Sequence, residues 1–333
     1  MLSQQLIING GFDIWQRNTT FTPNDDVYGP DRWNILTETN GAWTVARDTD
    51  VPAGVGFKYS AKFSNVTLNN QVALVQFIEN IDAVKFQGKT VTLSFYAKTV
   101  TTEIANLRAS ILSWTGTADT LTSDVIGTWA QDGTNPTWAT NYTAENTATN
   151  NALTSSWQRF TITGIALDTA SITNLAIIVW VDDGTIAATD DFYITGIMVN
   201  EGSVALPYQA KSFYDELKMC QRYYEKSFNY GTAPSDTSTN DTERLLGFSY
   251  TTTSIAIRCD YKVPKRVAPA PTYYNNGGGT ASTWDYYTNA WQANNALTND
   301  KQLENYFDVV MAGTFTINSG YLVRGQWSAS AEL

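Results

Sequence analysis

The feature that most constrains the fold is a series of short strand-like runs, rich in Val, Ile, Thr and Tyr and separated by Gly, Asn and Asp. The runs recur at intervals of roughly 10–15 residues, and no helical period lies between them. In Val91–Lys98 every second residue is apolar, which is typical of a strand with one buried face. This rhythm predicts an all-β fold, with a β-sandwich of the jelly-roll kind over about residues 5–205.

The opening stretch predicts two strands joined by a glycine turn. Leu6–Ile8 is interpreted as a buried strand, Asn9-Gly10-Gly11 as a turn or bulge, and Phe12 as the start of a second strand. Trp15 and Trp33 are expected to anchor this stretch in a core. The stretch should therefore lie inside the first domain.

A hairpin is predicted next. Arg32–Glu38 and Ala42–Arg47 both alternate apolar and polar residues, and the Asn-Gly pair between them adopts the positive φ values of tight turns. Four apolar residues should share one face of this hairpin: Trp33, Ile35, Trp43 and Val45.

Residues 115–153 interrupt the strand rhythm. They are mainly Thr, Asn, Asp, Gly and Ala, with Trp129, Trp138 and Tyr142 among them. A loop of this length inside a compact domain is uncommon unless it is functional. The alternative is that it holds two short strands, with Asp124–Ala130 as one of them.

The period changes at Ser212–Phe228. Ser212 followed by Asp215 has the form of a capping box at a helix N-terminus. Apolar residues then recur at helical spacing: Phe213, Leu217, Cys220, Tyr224 and Phe228. This predicts a helix of about four turns in a linking segment, residues 209–229, after a first domain of residues 1–208. Its apolar stripe either docks on the chain's own sheets or packs against copies in neighbouring subunits.

The remaining residues, 230–333, predict a small antiparallel β-sandwich. Expected strands are Arg244–Thr252, Ser254–Val263, Trp284–Trp291, Tyr306–Ile317 and Tyr321–Ala329, with a flexible turn at Asn275–Gly279. Core candidates are Ile255, Ile257, Val309, Val310, Phe315 and Leu322. Exposed aromatic residues are expected at Tyr273, Tyr274, Tyr286, Tyr287 and Trp291.

Charge and residue usage exclude several function classes. Residues 1–210 carry 10 Lys/Arg against 20 Asp/Glu, so nucleic acid and anionic lipid are disfavoured partners. The chain has no histidine, which removes Ser-His-Asp triads and His-based zinc sites. Its two cysteines are too few for a disulfide framework. No apolar run approaches ~20 residues and no basic-then-apolar leader follows Met1, so neither membrane insertion nor a signal peptide is expected.

Several motifs carry a family resemblance. The opening INGGFDIWQR with its following DRW resembles the N-terminal signature of bacteriophage tail-fibre and related virion surface proteins. The stretches Met198–Tyr208, Cys220–Ser227 and Trp327–Leu333 resemble later parts of such proteins in the same order. The resemblance implies a first domain like a carbohydrate-binding module and a homotrimeric assembly. It also implies other virion proteins and host cell-surface saccharide as partners.

Aromatic residues define a candidate saccharide site. Sugar rings stack their C–H faces on aromatic planes, and their hydroxyls pair with short polar side chains. Tyr96, Trp114 and Trp180 have the phase to form such a platform on the polar side of the strands. Trp129 and Trp138 would close over it from the long loop.

Acidic residues define a second candidate site. Aspartates occur as the pairs Asp25-Asp26, Asp182-Asp183 and Asp190-Asp191, and Asp13 follows the opening turn. The resembled modules often hold a structural Ca²⁺ between an acid of the opening motif and an aspartate of the final strand. Asp13 and Asp191 are therefore the metal-ligand candidates. Two carboxylates also suit glycoside hydrolysis, but no Ser-x-x-Lys, Gly-x-Ser-x-Gly or solenoid repeat accompanies them, and no enzyme is expected.

The sequence thus predicts a non-enzymatic virion surface protein, a tail fibre or fibre-like protein made in the host cytoplasm, that adheres to host glycans through aromatic-lined sites. The alternative is a structural capsid decoration, head-fibre or cement protein without a specific glycan receptor. A broad apolar surface patch would favour that alternative.

Overall fold

The structure is a computed structural model that describes residues 5–236, 243–275 and 281–333. The chain divides into two compact units. The first holds the chain up to Trp15, Thr19–Glu216 and Leu333, and the second holds Gln16–Asn18 and Leu217–Glu332. The division falls within the predicted linking segment 209–229. Among the described residues, no helix is long and apolar enough to cross a membrane.

The all-β prediction is confirmed, because strands supply almost every regular element. The first unit contains β1 (Thr20–Phe21), β2 (Val27–Tyr28), β3 (Asn34–Thr37), β4 (Trp43–Asp48), β5 (Ser60–Asn65), β6 (Val72–Ile78), α1 (Asn80–Ala83), a 3₁₀ turn (Val84–Phe86), β7 (Thr90–Thr99), β8 (Asn106–Trp114), β9 (Ile126–Thr128), β10 (Thr137–Trp138), β11 (Tyr142–Ala144), β12 (Asn151–Ala152), β13 (Gln158–Ala166), β14 (Asn174–Val181) and β15 (Asp191–Glu201). Next come α2 (Phe213–Gln221), β16 (Tyr224–Lys226), β17 (Glu243–Ser249), β18 (Ser254–Asp260), β19 (Pro271–Tyr274), β20 (Thr283–Tyr287), β21 (Trp291–Gln302), β22 (Tyr306–Ala312) and β23 (Gly320–Ser330).

The first unit is a sandwich of two antiparallel sheets. Sheet 1 has the order β1-β4-β5-β15-β7-β13, and sheet 2 has the order β11-β8-β14-β6-β3-β2 with β12 also on β8. One apolar core lies between them. Sheet 1 contributes residues such as Phe63, Leu93 and Ile194, and sheet 2 contributes Leu74 and Ile177. The alternation in β7 is confirmed, since its apolar residues Val91, Leu93, Phe95 and Ala97 all belong to this core.

The predicted hairpin is wrong. β3 pairs with β2 and β6 in sheet 2, whereas β4 pairs with β1 and β5 in sheet 1. The chain crosses from one sheet to the other between them, with Gly41 at φ +70°. The four apolar residues still meet in the core, but they approach from opposite sheets.

The opening stretch forms no strand at Leu6–Ile8 or Phe12, although Trp15 and Trp33 are core anchors as predicted. Its backbone groups form isolated hydrogen bonds instead of a strand ladder. The Ile14 N–H donates to Asn9 Oδ1 at 2.9 Å, and the Ile197 N–H donates to the Gly10 carbonyl at 3.0 Å. A Cβ at Gly10 would lie 2.0 Å from the Ile197 carbonyl oxygen, so this close approach requires glycine.

Residues 115–150 cover the outer face of sheet 2 and are called the covering segment below. They hold three short strands rather than a bare loop: β9 and β10 pair with each other, and β11 pairs with β8, as does β12 directly after the segment. Apolar residues of the segment, including Val125, Ile126 and Tyr142, form a second core with the outer side chains of sheet 2. β14 is consequently buried on both faces.

The second unit is built around one antiparallel sheet that closes on itself. Strands follow in the order β23-β17-β18-β22-β21-β20, and β20 returns to β23. Its interior holds Ile255, Ile257, Val309 and Phe315 as predicted. Val310 and Leu322 lie outside this core, because they alternate with Val309 and Val323 along their strands.

Two expected surface aromatics of the second unit are buried. Tyr273 packs on Trp284 with ring centroids 5.4 Å apart, and Tyr286 packs on Phe315 at 4.6 Å. Tyr287 is exposed as predicted, and Tyr274 and Trp291 are half-buried. Of the expected flexible turn, residues 276–279 lie outside the described part of the chain.

The helix is shorter than its pattern predicted. The capping box is confirmed, because the Asp215 N–H donates to Ser212 Oγ at 3.1 Å and Ser212 Oγ donates to Asp215 Oδ2 at 2.6 Å. However, α2 ends at Gln221, and Tyr224–Lys226 pairs as β16 with Ser328–Ser330 of β23. Ladder hydrogen bonds to β23 replace the last helical turns.

Candidate functional site

The structure brings four of the five predicted sugar-binding residues together, but in a core. Trp114 and Trp180 are 5% and 0% exposed on the outer face of sheet 2, beneath the covering segment. Trp138 packs edge-on against Trp180 with ring centroids 5.6 Å apart, and Trp129 is half-buried against the same cluster. A buried ring has no face for a sugar, which corrects the expectation that Trp114 and Trp180 form an open platform.

Tyr96 lies on a different surface. It is a β7 residue of sheet 1, in register with Thr195 of β15 and Arg159 of β13. Phe57 packs against its ring at 5.4 Å, and the Arg159 guanidinium lies 5.8 Å from the ring centroid. The predicted platform is therefore divided between two sheets.

The outer face of sheet 1 carries a cluster that the sequence reasoning did not identify. Lys62, Tyr193 and Lys98 form one row across β5, β15 and β7, because Tyr193 is in register with both lysines. Their neighbours along each strand, such as Phe63, Phe192 and Ala97, face the core, so alternation turns this row outward. Each residue type was visible in the sequence, but the register that aligns three distant strands was not.

Two acids and a second aromatic ring complete this cluster. Lys62 pairs with Asp191 at 2.7 Å, and Lys98 pairs with Asp50. The Trp157 indole N–H donates to Asp50 Oδ1 at 2.9 Å, and its ring meets Tyr193 edge-on at 6.3 Å. We call Asp50, Lys62, Lys98, Trp157, Asp191 and Tyr193 the Tyr193 cluster.

Both ammonium groups lie near the Tyr193 ring, with Nζ of Lys98 at 4.9 Å and of Lys62 at 5.7 Å from its centroid. The hydrogen bond to Asp191 raises the pKa of Lys62. Although burial acts to raise the pKa of Asp50, hydrogen bonds from Lys98 and Trp157 outweigh it, and the pKa is lowered. Burial raises the pKa of Tyr193. The raised pKa of Lys62 and the lowered pKa of Asp50 leave these two groups charged at neutral pH, and Tyr193 remains a neutral phenol.

A cavity of about 590 Å³ adjoins the cluster. It is lined mainly by hydroxyl-bearing residues and one acid: Thr99, Thr101, Thr102, Glu103, Thr154 and Ser155. The Val100 N–H donates to the Asp191 carbonyl at 3.2 Å, so the cavity wall joins the cluster directly. Aromatic rings, charged donors and acceptors, and hydroxyls thus lie side by side, a combination suited to a polyhydroxylated ligand.

Asp13 and Asp191 do not form a calcium site. Asp191 forms an ion pair with Lys62. Asp13 lies beside Gly11, and the Thr195 hydroxyl donates to the Gly11 carbonyl at 3.5 Å, so Asp13 lies near the Thr195 end of β15. Asp191 and Thr195 are four residues apart in β15, or about 13 Å at the usual strand rise. Burial, and then Glu216, raises the pKa of Asp13. No group of three or more His, Cys, Asp or Glu residues in the described ranges is placed to hold a metal ion.

Comparisons with known proteins add fold likenesses only. No protein-family model matches the chain, and no curated protein matches it. A CBM4 structure is 19% identical over 58% of this chain and 97% of that chain, with a TM-score of 0.33. The CBM22-1 xylan-binding domain from Paenibacillus barcinonensis is 13% identical over 61% of this chain and 97% of that one, with a TM-score of 0.34.

The enzymatically active domain of bacteriophage CBA120 tailspike protein 4 is also similar. It is 14% identical over 56% of this chain, with a TM-score of 0.36, and the match spans only 21% of the tailspike chain. Identities and TM-scores this low carry no argument about ligand or activity. The resemblance to phage tail-fibre proteins stays a prediction.

Proposed function

We propose that the first unit binds saccharide without catalysis, through the Tyr193 cluster. The observation that carries this proposal is the half-buried Trp157 ring, which lies beside two Lys–Asp pairs and packs on the buried Tyr193 ring on the outward face of sheet 1. Trp157 is only half-buried and supplies the ring on which a sugar stacks, while Tyr193 lies beneath it. Asp50 and Asp191 accept from sugar hydroxyls, and Lys62 and Lys98 donate to them.

Binding rather than hydrolysis is proposed because both acids of the cluster are already held in ion pairs. A glycosidase needs one carboxyl group that remains protonated as a general acid. The lowered pKa of Asp50 favours the ionised carboxylate, so Asp50 does not meet that requirement. The adjoining hydroxyl-lined cavity would extend the contact to a second sugar unit.

The wider role follows from the motifs of the sequence. We propose a virion surface protein, tail fibre or fibre-like, that acts as a homotrimer and attaches a particle to host saccharide. A single shallow site of this kind binds weakly, but several sites on one particle raise the effective affinity by 10²–10⁴, an order-of-magnitude expectation for multivalent contacts.

The test is a glycan-array screen of the full chain beside two variants. Trp157→Ala should weaken binding by about tenfold or more, because one aromatic stacking contact contributes roughly 1 kcal/mol or more. Tyr287→Ala is the matched control, since it removes an exposed aromatic ring from the second unit. Binding that survives Trp157→Ala, or no binding to any saccharide, would contradict the proposal.

A second candidate function is a capsid decoration or cement protein without a glycan receptor. Exposed apolar side chains on the second unit favour it, among them Leu246 and Phe248. A stable oligomer that gives no glycan signal would support this alternative over adhesion.

A further inference from the structure

The second unit exposes an apolar surface on the outside of its closed sheet. Leu246 is 69% exposed, Phe248 54% and Leu322 46%. These three residues lie on the adjacent strands β17 and β23, and they are called the apolar wall below. Exposed single apolar residues are ordinary, but a contiguous group of large ones usually marks an interaction site.

Strand alternation makes the wall a continuous surface. Leu246 and Leu322 are directly opposite each other in the register of β17 and β23, so their side chains are neighbours on one face. Phe248 follows on the same face of β17, two residues after Leu246. The intervening Leu245 and the facing Val323 turn to the interior instead. Tyr250 and Ile317, both about half exposed, extend the apolar surface beyond the strand ends.

The wall has a projection beside a hollow. Phe248 is in register with Gly320, which has no side chain. A Cβ built at Gly320 would meet only Leu246 Cδ1, at 3.6 Å, so open space adjoins the aromatic ring. A surface with a projecting ring next to an empty position is self-complementary, because a second copy can place its ring in the first copy's hollow.

Charge favours a second copy as the occupant. The second unit carries 11 Lys/Arg against 10 Asp/Glu, so two second units do not repel each other, whereas the first unit carries 10 against 22. Beside the wall, Arg324 pairs with Asp285 at 3.0 Å and lies 4.3 Å from the Trp291 ring centroid. Arg and Trp at the border of an apolar surface are typical of protein interfaces.

From these observations we infer that the apolar wall is the contact between copies of this chain, with Phe248 of one copy seated at Gly320 of another. This assigns self-association to the second unit, whereas saccharide binding is proposed for the first. It does not depend on the Tyr193 cluster.

The test is the mass of the full chain in solution, measured by light scattering over a range of concentrations. The wild-type chain should give a multiple of 36.8 kDa. Phe248→Glu should raise the dissociation constant about 30-fold or more, as loss of a central interface residue does. Leu68→Glu is the control, because Leu68 is 64% exposed on the first unit.

A second variant distinguishes loss of the contact between copies from misfolding of the chain. Gly320→Val fills the hollow with a strand-favouring side chain at ordinary contact distance from Leu246, so it should fold and yet weaken association. Smaller species for both wall variants, with Leu68→Glu unchanged, would support the inference. A monomeric wild-type chain would overturn it, as would an oligomer that survives Gly320→Val in a variant that remains folded by circular dichroism.

Discussion

The two outer faces of the first unit differ in what covers them. Sheet 2 carries Trp114 and Trp180, but the covering segment buries them in a second core. Sheet 1 carries Tyr193, Lys62 and Lys98, and the exposed Asp50 and the half-buried Trp157 lie against them. The tryptophans that look most like a sugar platform in the sequence are therefore structural. The proposed site lies where the half-buried Trp157 ring is combined with charged partners on the outer side of sheet 1.

The largest expected effect is a difference in stability between a tryptophan variant of the sheet 2 face and one of the sheet 1 face. Trp180→Ala should lower the free energy of unfolding by about 3–5 kcal/mol, because it leaves a large cavity between sheet 2 and the covering segment. Trp157→Ala should cost much less, since its ring is only half-buried. Chemical denaturation of both variants measures the contrast. Equal losses would mean that the sheet 1 face is as much a core as the sheet 2 face.

The next effect concerns saccharide binding. Asp50→Ala removes the acceptor shared by Lys98 and Trp157 and should weaken binding by about tenfold, the loss expected for a hydrogen bond to a charged group. Because the pKa of Asp50 is lowered in the folded chain, its contribution should be constant above pH 3.8, the ordinary value, and be lost as pH falls through the lowered pKa. Calorimetric titrations at several pH values measure this dependence. Asp132→Ala, in the covering segment, is the comparison and should leave binding unchanged.

A smaller effect is expected at high pH. The pKa of Lys62 is raised in the folded state, so the Lys62–Asp191 pair stabilises the fold below pH 10.5 and this contribution is lost as pH rises through the raised pKa. Lys62→Met should therefore melt slightly below the wild type at neutral pH, and the difference should shrink in strong alkali. Thermal melts at paired pH values provide the measurement. A difference that persists in alkali would point to packing instead.

The smallest expected effect is that of calcium. Asp13 lies near Thr195, about 13 Å along β15 from Asp191, so adding Ca²⁺ or a chelator should not shift the melting temperature. An upward shift with Ca²⁺ that both Asp13→Asn and Asp191→Asn abolish would contradict this prediction. Saccharide binding should be equally indifferent to the ion.

Local features of this fold could be predicted from the sequence, but partnerships between strands could not. The core-facing residues of β7 follow from alternation, and the Ser212–Asp215 cap follows from a local motif. The hairpin prediction was wrong because Asn40-Gly41 specifies a turn but not whether the chain returns to the same sheet. α2 was predicted too long because Tyr224 fits a helical stripe as well as it fits β16.

The candidate site illustrates the same limit. Lys62, Lys98 and Tyr193 come from strands far apart in the chain, and only their register places them in one row. The prediction selected Trp114 and Trp180 because strand alternation places them on the polar side of their strands. No local sequence pattern at either residue indicates that the covering segment folds over it. Asp50 and Trp157 lie outside regular strands, so alternation does not place them on this face.

The pairing of β23 also has a consequence for how the second unit is made. This one strand pairs with β16, β17, β19 and β20, and its partner β16 lies about a hundred residues earlier. During synthesis these four strands emerge with unpaired edges and wait for β23 before the sheet can close. Such long sequence separation slows folding and exposes strand edges to aggregation. We therefore expect closure of the second unit to be a late event in biogenesis, sensitive to chaperones and to the rate of translation.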